Sequence, residues 1–365
     1  MPLTCGIVGL PNVGKSTLFN ALCGTQAAAA NYPFCTIEPN RGVVPVPDDR
    51  LDRLVICTRS PQVVPSTVDF VDIAGLVAGA SRGEGLGNAF LGHIRQVDAI
   101  VHVVRCFEDQ GVAHVAGSVD SQRDIGIIQT ELLLKDLETA QKSADKAAKQ
   151  AKSGDKKARA KQAFSKMLVA HLRSGRFART FEAKRGEEQA WLESLFLLTS
   201  RPVLYVANVS EDALPGGGAC AARVEAVAAQ EGAPCMVISA ELETQLLSLA
   251  PDERLAFLEA AGLARPGLDR LIRAAYELLD LITFFTHGPK ETRAWAVQRG
   301  TKAPQAAGQV HTDFERGFIR AETTDAEAFI GLGTEAAVRA AGAMRSEGRD
   351  YVVRDGDVIL FRFNV

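Results

Sequence analysis

Short apolar runs alternate with segments of helical spacing in the first third of the chain and again beyond residue 200. Residues 4–9 form an apolar run that ends in glycine, and Lys15 to Leu22 continue at helical spacing. Further apolar, β-branched runs occur at Val68–Ile73, Ala99–Val104, Val203–Val206 and Cys235–Ile238. This alternation predicts an α/β fold with a mostly parallel sheet, helices on both faces, and ligand groups at the carboxyl ends of the strands.

The stretch from Ile128 to Ser200 interrupts this pattern. It is rich in Ala, Lys, Leu, Glu and Gln, has almost no Gly or Pro, and contains a break at Ser153-Gly154-Asp155. Such a composition is typical of a helical hairpin of the coiled-coil kind, and we expect it to be inserted between two strands of the sheet.

Beyond about residue 280 the pattern indicates a small α+β domain. Short strands are predicted at Ile282–Thr286, Thr292–Val297, Phe318–Ala321, Tyr351–Val353 and Val358–Phe363, with helices near Ala307–Phe314 and Thr324–Gly331. The predicted domains are therefore 1–127 together with 201–279, an inserted helical domain at 128–200, and a last domain at 280–365.

Charge is unevenly distributed along the 365 residues. The net charge is −3, which gives no global attraction to nucleic acid or membrane. Residues 140–180 nevertheless carry twelve Lys and Arg against two Asp, a local charge of +10, so the rest of the chain carries −13. An acidic partner for the hairpin and a plain solvated helix face remain equally open interpretations.

The chain carries no sign of export or of a membrane span. It starts MPLTCGIVGL, and no run of eighteen apolar residues occurs, so we expect a cytoplasmic protein with no membrane partner. Seven cysteines without a CxxC pair argue against a disulfide framework and against a zinc site. Most of them are expected to be small buried apolar residues.

The segment from Gly9 to Thr17 reads GLPNVGKST and fits the phosphate-binding pattern GxxxxGK[ST], with a strand before it and a helix after it. Backbone N–H groups of such a loop point at the phosphates, the lysine neutralises their charge, and the serine hydroxyl is a ligand for Mg²⁺. We predict that the nucleotide contacts Asn12, Val13, Gly14, Lys15, Ser16 and Thr17.

A DxxG segment at the end of a predicted strand complements this loop. Asp72 can reach the metal through water, and the N–H of Gly75 can face the γ-phosphate. DxxG alone is a weak signal, but its position 57 residues after Lys15 at a strand end favours this role. Thr36 is the candidate for the second hydroxyl ligand of Mg²⁺, with an ordinary loop threonine as the alternative.

Six segments together carry a family resemblance. They are GLPNVGKST (9–17), NYPFCTIEPN (31–40), DIAGLVAGASRGEGLGNAFL (72–91), NVSE (208–211), SAE (239–241) and GTKAPQAAGQVHTDFERGFIRAE (300–322). The chain strongly resembles the YchF family of Obg-like ATPases over nearly its whole length. The resemblance implies an Obg-type P-loop NTPase domain, an inserted antiparallel helical coiled-coil hairpin and a C-terminal TGS domain of β-grasp type.

The base-reading position departs from the GTPase pattern Asn-Lys-x-Asp. Asn208, Val209, Ser210 and Glu211 stand there, so the stacking lysine is absent and the carboxylate is one methylene longer. The bidentate contact to guanine is therefore displaced, whereas the Asn208 amide can complement N1 and the 6-amino group of adenine.

The resemblance implies that ATP is preferred over GTP, and the base loop is expected at Ser239, Ala240 and Glu241. A GTP-dependent regulator, or a nucleotide-gated binding protein whose hydrolysis is incidental, is the alternative.

Catalysis needs a residue that positions the attacking water. Leu76 follows DxxG where Ras-like proteins carry a glutamine, and leucine has no group for this task. The resemblance assigns the task to His114, although a lone loop histidine is usually a surface residue. The candidate catalytic residues are therefore His114, Lys15 and Gly75. We therefore expect slow hydrolysis, as in a molecular switch. Asn12 matches an asparagine that holds K⁺ in potassium-stimulated relatives, so K⁺ is a possible second cofactor.

The resemblance also implies partners. Family members bind ribosomes, so the expected partners are the ribosome, as the large subunit or the 70S particle, and its rRNA, met by the basic hairpin and the TGS domain. A monomer is expected. Cys35 adjoins Thr36 and is the first candidate for a redox-sensitive thiol, with an inert thiol as the alternative.

Overall fold

A computed structural model of the chain describes residues 3–28, 40–73, 86–109, 111–112, 114–152, 155–184 and 186–364. These residues form two compact units. The first unit comprises Met1–Gly24, Glu38–Gly42 and Phe70–Leu268, and the second comprises Thr25–Ile37, Val43–Asp69 and Asp269–Val365. Within the described ranges, no helix combines the length and the apolar character that crossing a bilayer requires.

The first sheet has six strands in the order β2-β4-β1-β5-β6-β7. Its strands are β1 (Thr4–Val8), β2 (Arg41–Pro45), β4 (Thr67–Asp72), β5 (Ala99–Cys106), β6 (Val203–Val209) and β7 (Cys235–Ile238). The strands β1, β5, β6 and β7 run parallel to one another. The residues of β1, β5 and β6 are almost all buried, as expected for parallel strands with helices on both faces, and the predicted parallel core is confirmed.

Helices follow the strands of this sheet, as the sequence pattern predicts. They are α1 (Lys15–Ala28), α3 (Leu86–Ile94), α7 (Gly218–Gln230), α8 (Ala240–Ser248) and α9 (Pro251–Ala260). The helix α3 includes Gly87, although a dense run of glycines disfavours a helix there.

The helical insertion begins earlier than the sequence predicts. Helix α4 (Ser121–Ala151) starts after the N-cap Asp120, whose side chain accepts a hydrogen bond from the Arg123 N–H. The break occurs where it was expected, and α5 (Lys156–Arg173) starts after the N-cap Asp155. Phe164, Leu168 and Leu172 of α5 and Ala140 of α4 share one apolar cluster, so the hairpin has a core of its own. A short helix, α6 (Glu187–Glu193), follows.

The second unit is built on a mixed sheet of order β11-β10-β12-β8-β9-β3. Its strands are β3 (Gln62–Val64), β8 (Leu281–His287), β9 (Glu291–Gln298), β10 (Phe318–Asp325), β11 (Arg345–Glu347) and β12 (Asp357–Phe363). Its helices are α2 (Asp49–Thr58), α11 (Ala303–Val310), α12 (Thr312–Arg316), α13 (Ala326–Leu332) and α14 (Glu335–Ala340), while α10 (Gly267–Leu278) leads into it.

The strand β8 pairs parallel to β12, which joins the first and the last strand of the segment Asp269–Val365. The strand β3 pairs parallel to β9 at the edge of the sheet. One predicted strand is wrong: of Tyr351–Val353, only Val352 forms an isolated bridge, to Lys302.

Candidate nucleotide-binding site

The loop between β1 and α1 has the curled backbone that binds phosphates. Asn12 (φ 62°) and Gly14 (φ 86°) lie in the left-handed region, which reverses the chain before the helix. A Cβ atom on Gly14 would lie 2.2 Å from Nδ2 of Asn208, so only glycine fits there. The first turn of α1 follows directly, with the Leu18 N–H donating to the Gly14 carbonyl at 2.9 Å. Its free N–H groups and the positive end of the helix dipole form an anion site.

Three predicted residues meet at this point. The Lys15 ammonium forms an ion pair with the carboxylate of Asp72, and the Ser16 hydroxyl donates to Asp72 Oδ2 at 3.1 Å. Asp72 is the last residue of β4, and the next N–H, of Ile73, donates to the Ile7 carbonyl at 3.1 Å. This pairing fixes the carboxylate beside the loop, so a hydroxyl and a carboxylate oxygen, the hard ligands that Mg²⁺ prefers, lie within hydrogen-bond distance of each other.

Other predicted residues of the phosphate site differ in position. The side chains of Asn12, Ser16 and Thr17 are exposed, whereas Val13 is buried. Thr36, Cys35 and Gly75 lie outside the described residues.

Asn208 connects the phosphate loop to the predicted base loop. Its Nδ2 donates to the Val13 carbonyl at 2.9 Å, and its Oδ1 accepts from the Ala240 N–H at 3.0 Å. The residue is only 3% exposed. One N–H and one lone pair of the amide are therefore committed to the protein, and one of each remains for a ligand.

The base loop itself is the start of α8. Ser239 is the N-cap, and its hydroxyl accepts from the Leu242 N–H at 3.4 Å. Glu241 is exposed in the first turn, and Glu211 is exposed in a short 3₁₀ turn over 211–213. Val209 is buried in β6, so only its backbone is available to a ligand.

The sequence analysis missed Arg105. Its guanidinium is 2% exposed and donates to the carbonyls of Phe107 (3.1 Å), Val112 (3.0 Å) and Asn12 (3.3 Å). It therefore fixes the phosphate loop to the segment that follows β5. The signal was available, since a charged residue near the end of a buried, mostly apolar strand needs several buried partners.

His114 is buried rather than on the surface. Its side chain is 5% exposed, Nε2 lies 2.8 Å from Asp124 Oδ2, and Nδ1 accepts from the Ala116 N–H at 3.0 Å. Because Nδ1 is an acceptor, Nε2 carries the hydrogen and donates to the carboxylate. Asp124 is 3% exposed and also accepts from Nε of Arg123 at 3.0 Å. Among the described residues, no hydrogen bond joins His114 to the cluster around Lys15. Asp124 was not predicted as its partner.

Two family models match the chain. The model described as a 50S ribosome-binding GTPase matches residues 4–170. The YchF-GTPase_C model, described as a protein of unknown function, matches residues 281–364.

Relatives match over the full length. The ribosome-binding ATPase YchF of Bacillus subtilis (strain 168) is 51% identical, with 100% of each chain covered. The ribosome-binding ATPase YchF of Escherichia coli O157:H7 is 50% identical over 100% of each chain. Obg-like ATPase 1 of Gallus gallus is 46% identical over 99% of this chain and 92% of that protein.

A solved structure has the same fold. The YchF GTPase of Schizosaccharomyces pombe superposes with a TM-score of 0.90 at 37% identity, covering 99% of this chain and 97% of that one. The match therefore includes both the unit with the phosphate loop and the unit with the mixed sheet. The chain belongs to the YchF family and is a P-loop nucleoside triphosphate hydrolase.

Proposed function

We propose that the protein hydrolyses ATP in preference to GTP, slowly and as a switch, and that it binds the ribosome. The cluster of Lys15, Ser16 and Asp72 beneath the phosphate loop supports the chemistry most directly. A triphosphate would take over the Lys15 ammonium, and this exchange would free the Asp72 carboxylate.

Ser16 and Asp72 would hold Mg²⁺, with Thr36 as the further ligand that the sequence suggests. The ion would supply positive charge against the phosphates. Gly75 remains the residue proposed to donate its N–H to the γ-phosphate.

The preference for ATP rests on the residues after β6. Asn208 keeps one N–H and one lone pair beyond its bonds to Val13 and Ala240, and these complement the acceptor N1 and the donor 6-amino group of adenine. Glu211 is exposed and one methylene longer than the aspartate that reads guanine. Guanine would leave polar groups of the site unpaired, which costs affinity.

The proposed water-positioning residue, His114, has a buried side chain, and both of its ring nitrogens are engaged in hydrogen bonds within the protein. We propose that ATP binding releases the imidazole from Asp124. Arg105 provides a physical connection, because it binds both the Asn12 carbonyl in the phosphate loop and the Val112 carbonyl two residues before His114. A histidine that must leave a buried hydrogen bond in each cycle fits slow hydrolysis.

Ribosome binding is proposed from the relatives' names and from the charge of the hairpin. Most of its basic side chains are exposed. Among the described residues, no ion pair neutralises Lys146, Lys149, Lys152, Lys156, Arg159 or Lys166. Near the α4–α5 break, a groove is lined by Lys149, Lys157, Lys161 and Trp191. Ammonium groups beside an aromatic ring suit RNA, since they bind phosphates and the ring stacks on an unpaired base.

Pelleting with ribosomes over a salt series tests this interface. Replacing Lys146, Lys149 and Lys152 by Gln removes three exposed charges and should lower the slope of log affinity against log salt by about 0.7 to 0.9 per lost phosphate contact. The same three positions changed to Arg keep the charge and serve as the control. An equal slope for the Gln and Arg variants would contradict the proposed phosphate contacts.

Competition and mutation test the nucleotide chemistry. Equimolar GTP should leave ATP turnover nearly unchanged, and His114→Ala should retain ATP binding but lose most turnover. Inhibition by equimolar GTP would favour the GTP-dependent alternative. Ribosome pelleting that is the same with ATP, with a non-hydrolysable analogue and without nucleotide would make hydrolysis incidental.

A further inference from the structure

Two cysteines from different elements of the first unit lie in direct contact. Cys106 is the last residue of β5, and Cys220 is in the first turn of α7. Their sulfur atoms are 2.6 Å apart and share a hydrogen bond, and the Cys220 sulfur is 3.7 Å from the Arg105 carbonyl oxygen. Both residues are half-buried, so a small reagent can reach them without unfolding of the chain.

The surroundings make the two thiols unequal. The hydrogen bond with Cys106 lowers the pKa of Cys220 to about 6 against the opposing effect of burial, with further help from Ser121 and from the positive charge of Arg223. The N-terminal end of a helix favours a thiolate in the same direction. The same hydrogen bond, together with burial, raises the pKa of Cys106. At neutral pH the pair therefore consists of a nucleophilic thiolate and a neighbouring sulfur that retains a proton.

Two other cysteines of this unit lie in different surroundings. Cys5 is fully buried in β1. Burial raises the pKa of Cys235, in β7, to about 11, so that thiol stays protonated at neutral pH. Cys235 is thus an internal control for reactivity.

We infer that Cys106 and Cys220 form a reversible dithiol–disulfide site that reacts with hydroperoxides. The Cys220 thiolate attacks an oxygen of the hydroperoxide ROOH, the O–O bond breaks, and the alkoxide leaves and takes up a proton as ROH. The Cys106 sulfur then attacks the sulfenic sulfur of Cys220, the S–O bond breaks, and hydroxide leaves with the Cys106 proton as water. Two thiols and one hydroperoxide thus give a disulfide, an alcohol and water, a two-electron oxidation.

The contact geometry favours the second step. A disulfide requires sulfur atoms about 2.05 Å apart, and the two sulfurs already lie in direct contact. The strand end and the helix start that carry them need little rearrangement. The new bond would fix the end of β5 to α7 one residue beyond Arg105, which holds the Asn12 carbonyl of the phosphate loop.

The test treats the intact protein with hydrogen peroxide and then identifies cysteine peptides by mass spectrometry. We expect a Cys106–Cys220 cross-linked peptide that dithiothreitol removes. Cys106→Ser should trap Cys220 as a sulfenic acid that dimedone labels, Cys220→Ser should give neither product, and Cys235→Ser should behave as the wild type. Cys106→Ala provides a second variant in case the serine variant fails to fold.

A pH profile gives an independent readout. Alkylation of Cys220 by iodoacetamide should rise with pH around a midpoint near 6, whereas Cys235 should react only under far more alkaline conditions. The inference is overturned if peroxide leaves both thiols free while it oxidises an added reference thiol, or if Cys220 is alkylated no faster than Cys235 at neutral pH.

Discussion

Replacing Asp124 by Asn should make the enzyme faster. The substitution keeps the size and shape of the side chain but turns a carboxylate acceptor into an amide. In the structure the carboxylate holds the buried His114 imidazole at 2.8 Å. If hydrolysis needs the imidazole elsewhere, weaker retention increases the fraction of molecules in which it is released.

The expected size follows from the hydrogen bond. A buried bond to a charged group contributes about 1.5 to 3 kcal/mol and a neutral one about 0.5 to 1.5 kcal/mol, so the substitution should weaken retention by about 1 to 2 kcal/mol. Since 1.4 kcal/mol is a factor of ten, the released population should grow about 5- to 30-fold. The turnover number should increase by a similar factor while release remains the limiting step.

The assay is steady-state phosphate release at saturating ATP, with the thermal unfolding temperature of each variant as a check on folding. Asp120→Asn is the matched control, because Asp120 caps the same helix and asparagine caps equally well. In a His114→Ala background, Asp124→Asn should have no effect. Turnover that is unchanged or lower in the single variant would refute retention, and a decrease equal to that of His114→Ala would show that Asp124 orients the imidazole for the reaction.

Three further outcomes are expected. Asp136→Ala should lower the free energy of unfolding, measured by urea titration, by about 3 to 5 kcal/mol. The reason is that the buried Asp136 carboxylate accepts three hydrogen bonds of 2.6–2.8 Å, two from backbone N–H groups and one from a hydroxyl. Asp145 is exposed, so Asp145→Ala should change the same free energy by less than about 0.5 kcal/mol. Burial lowers the pKa of His102 to about 4, so between about 6.5 and that value the unfolded chain binds a proton that the folded chain does not. The free energy of unfolding should therefore decrease as the pH is lowered from about 6.5 to about 4, by up to about 1.4 kcal/mol per pH unit, and an undiminished slope in His102→Leu would contradict this. Turnover should be higher in KCl than in NaCl, and Asn12→Ala should remove the difference; equal rates in the wild type would argue against a K⁺ site.

Apolar runs and glycine positions in the sequence predicted the strand β7 and the phosphate loop. The run Cys235–Ile238 is β7 without a change of boundary, because its four consecutive apolar residues suit a parallel strand whose two faces are covered by helices. The phosphate loop was predicted because glycine is required where the backbone has a positive φ, as at Gly14. The strand β3 was missed, since Gln62–Val64 is short and its pairing with β9 lies more than 200 residues away.

The missed site residues share a physical reason. The partners of Arg105 and Asp124 belong to an irregular loop: Arg105 binds backbone carbonyls of that loop, and Asp124 binds one imidazole. Sequence spacing does not encode such contacts. The surroundings of His114 show the same limit, because the loop sequence does not predict that its ring packs against the buried carboxylate of Asp124. The roles of Thr36 and Gly75 stay predictions, as do the domain boundaries at 127, 200 and 279.

Paired affinity measurements can show whether the phosphate loop binds ATP through Lys15. Calorimetric titration with ATP and with GTP in the presence of Mg²⁺ should give at least about tenfold tighter binding of ATP, a difference of about 1.4 kcal/mol. Lys15→Ala should weaken ATP binding by about 10- to 150-fold, the value of one charge-assisted hydrogen bond. Tenfold tighter binding of GTP, or an unchanged ATP affinity in Lys15→Ala, would contradict the account.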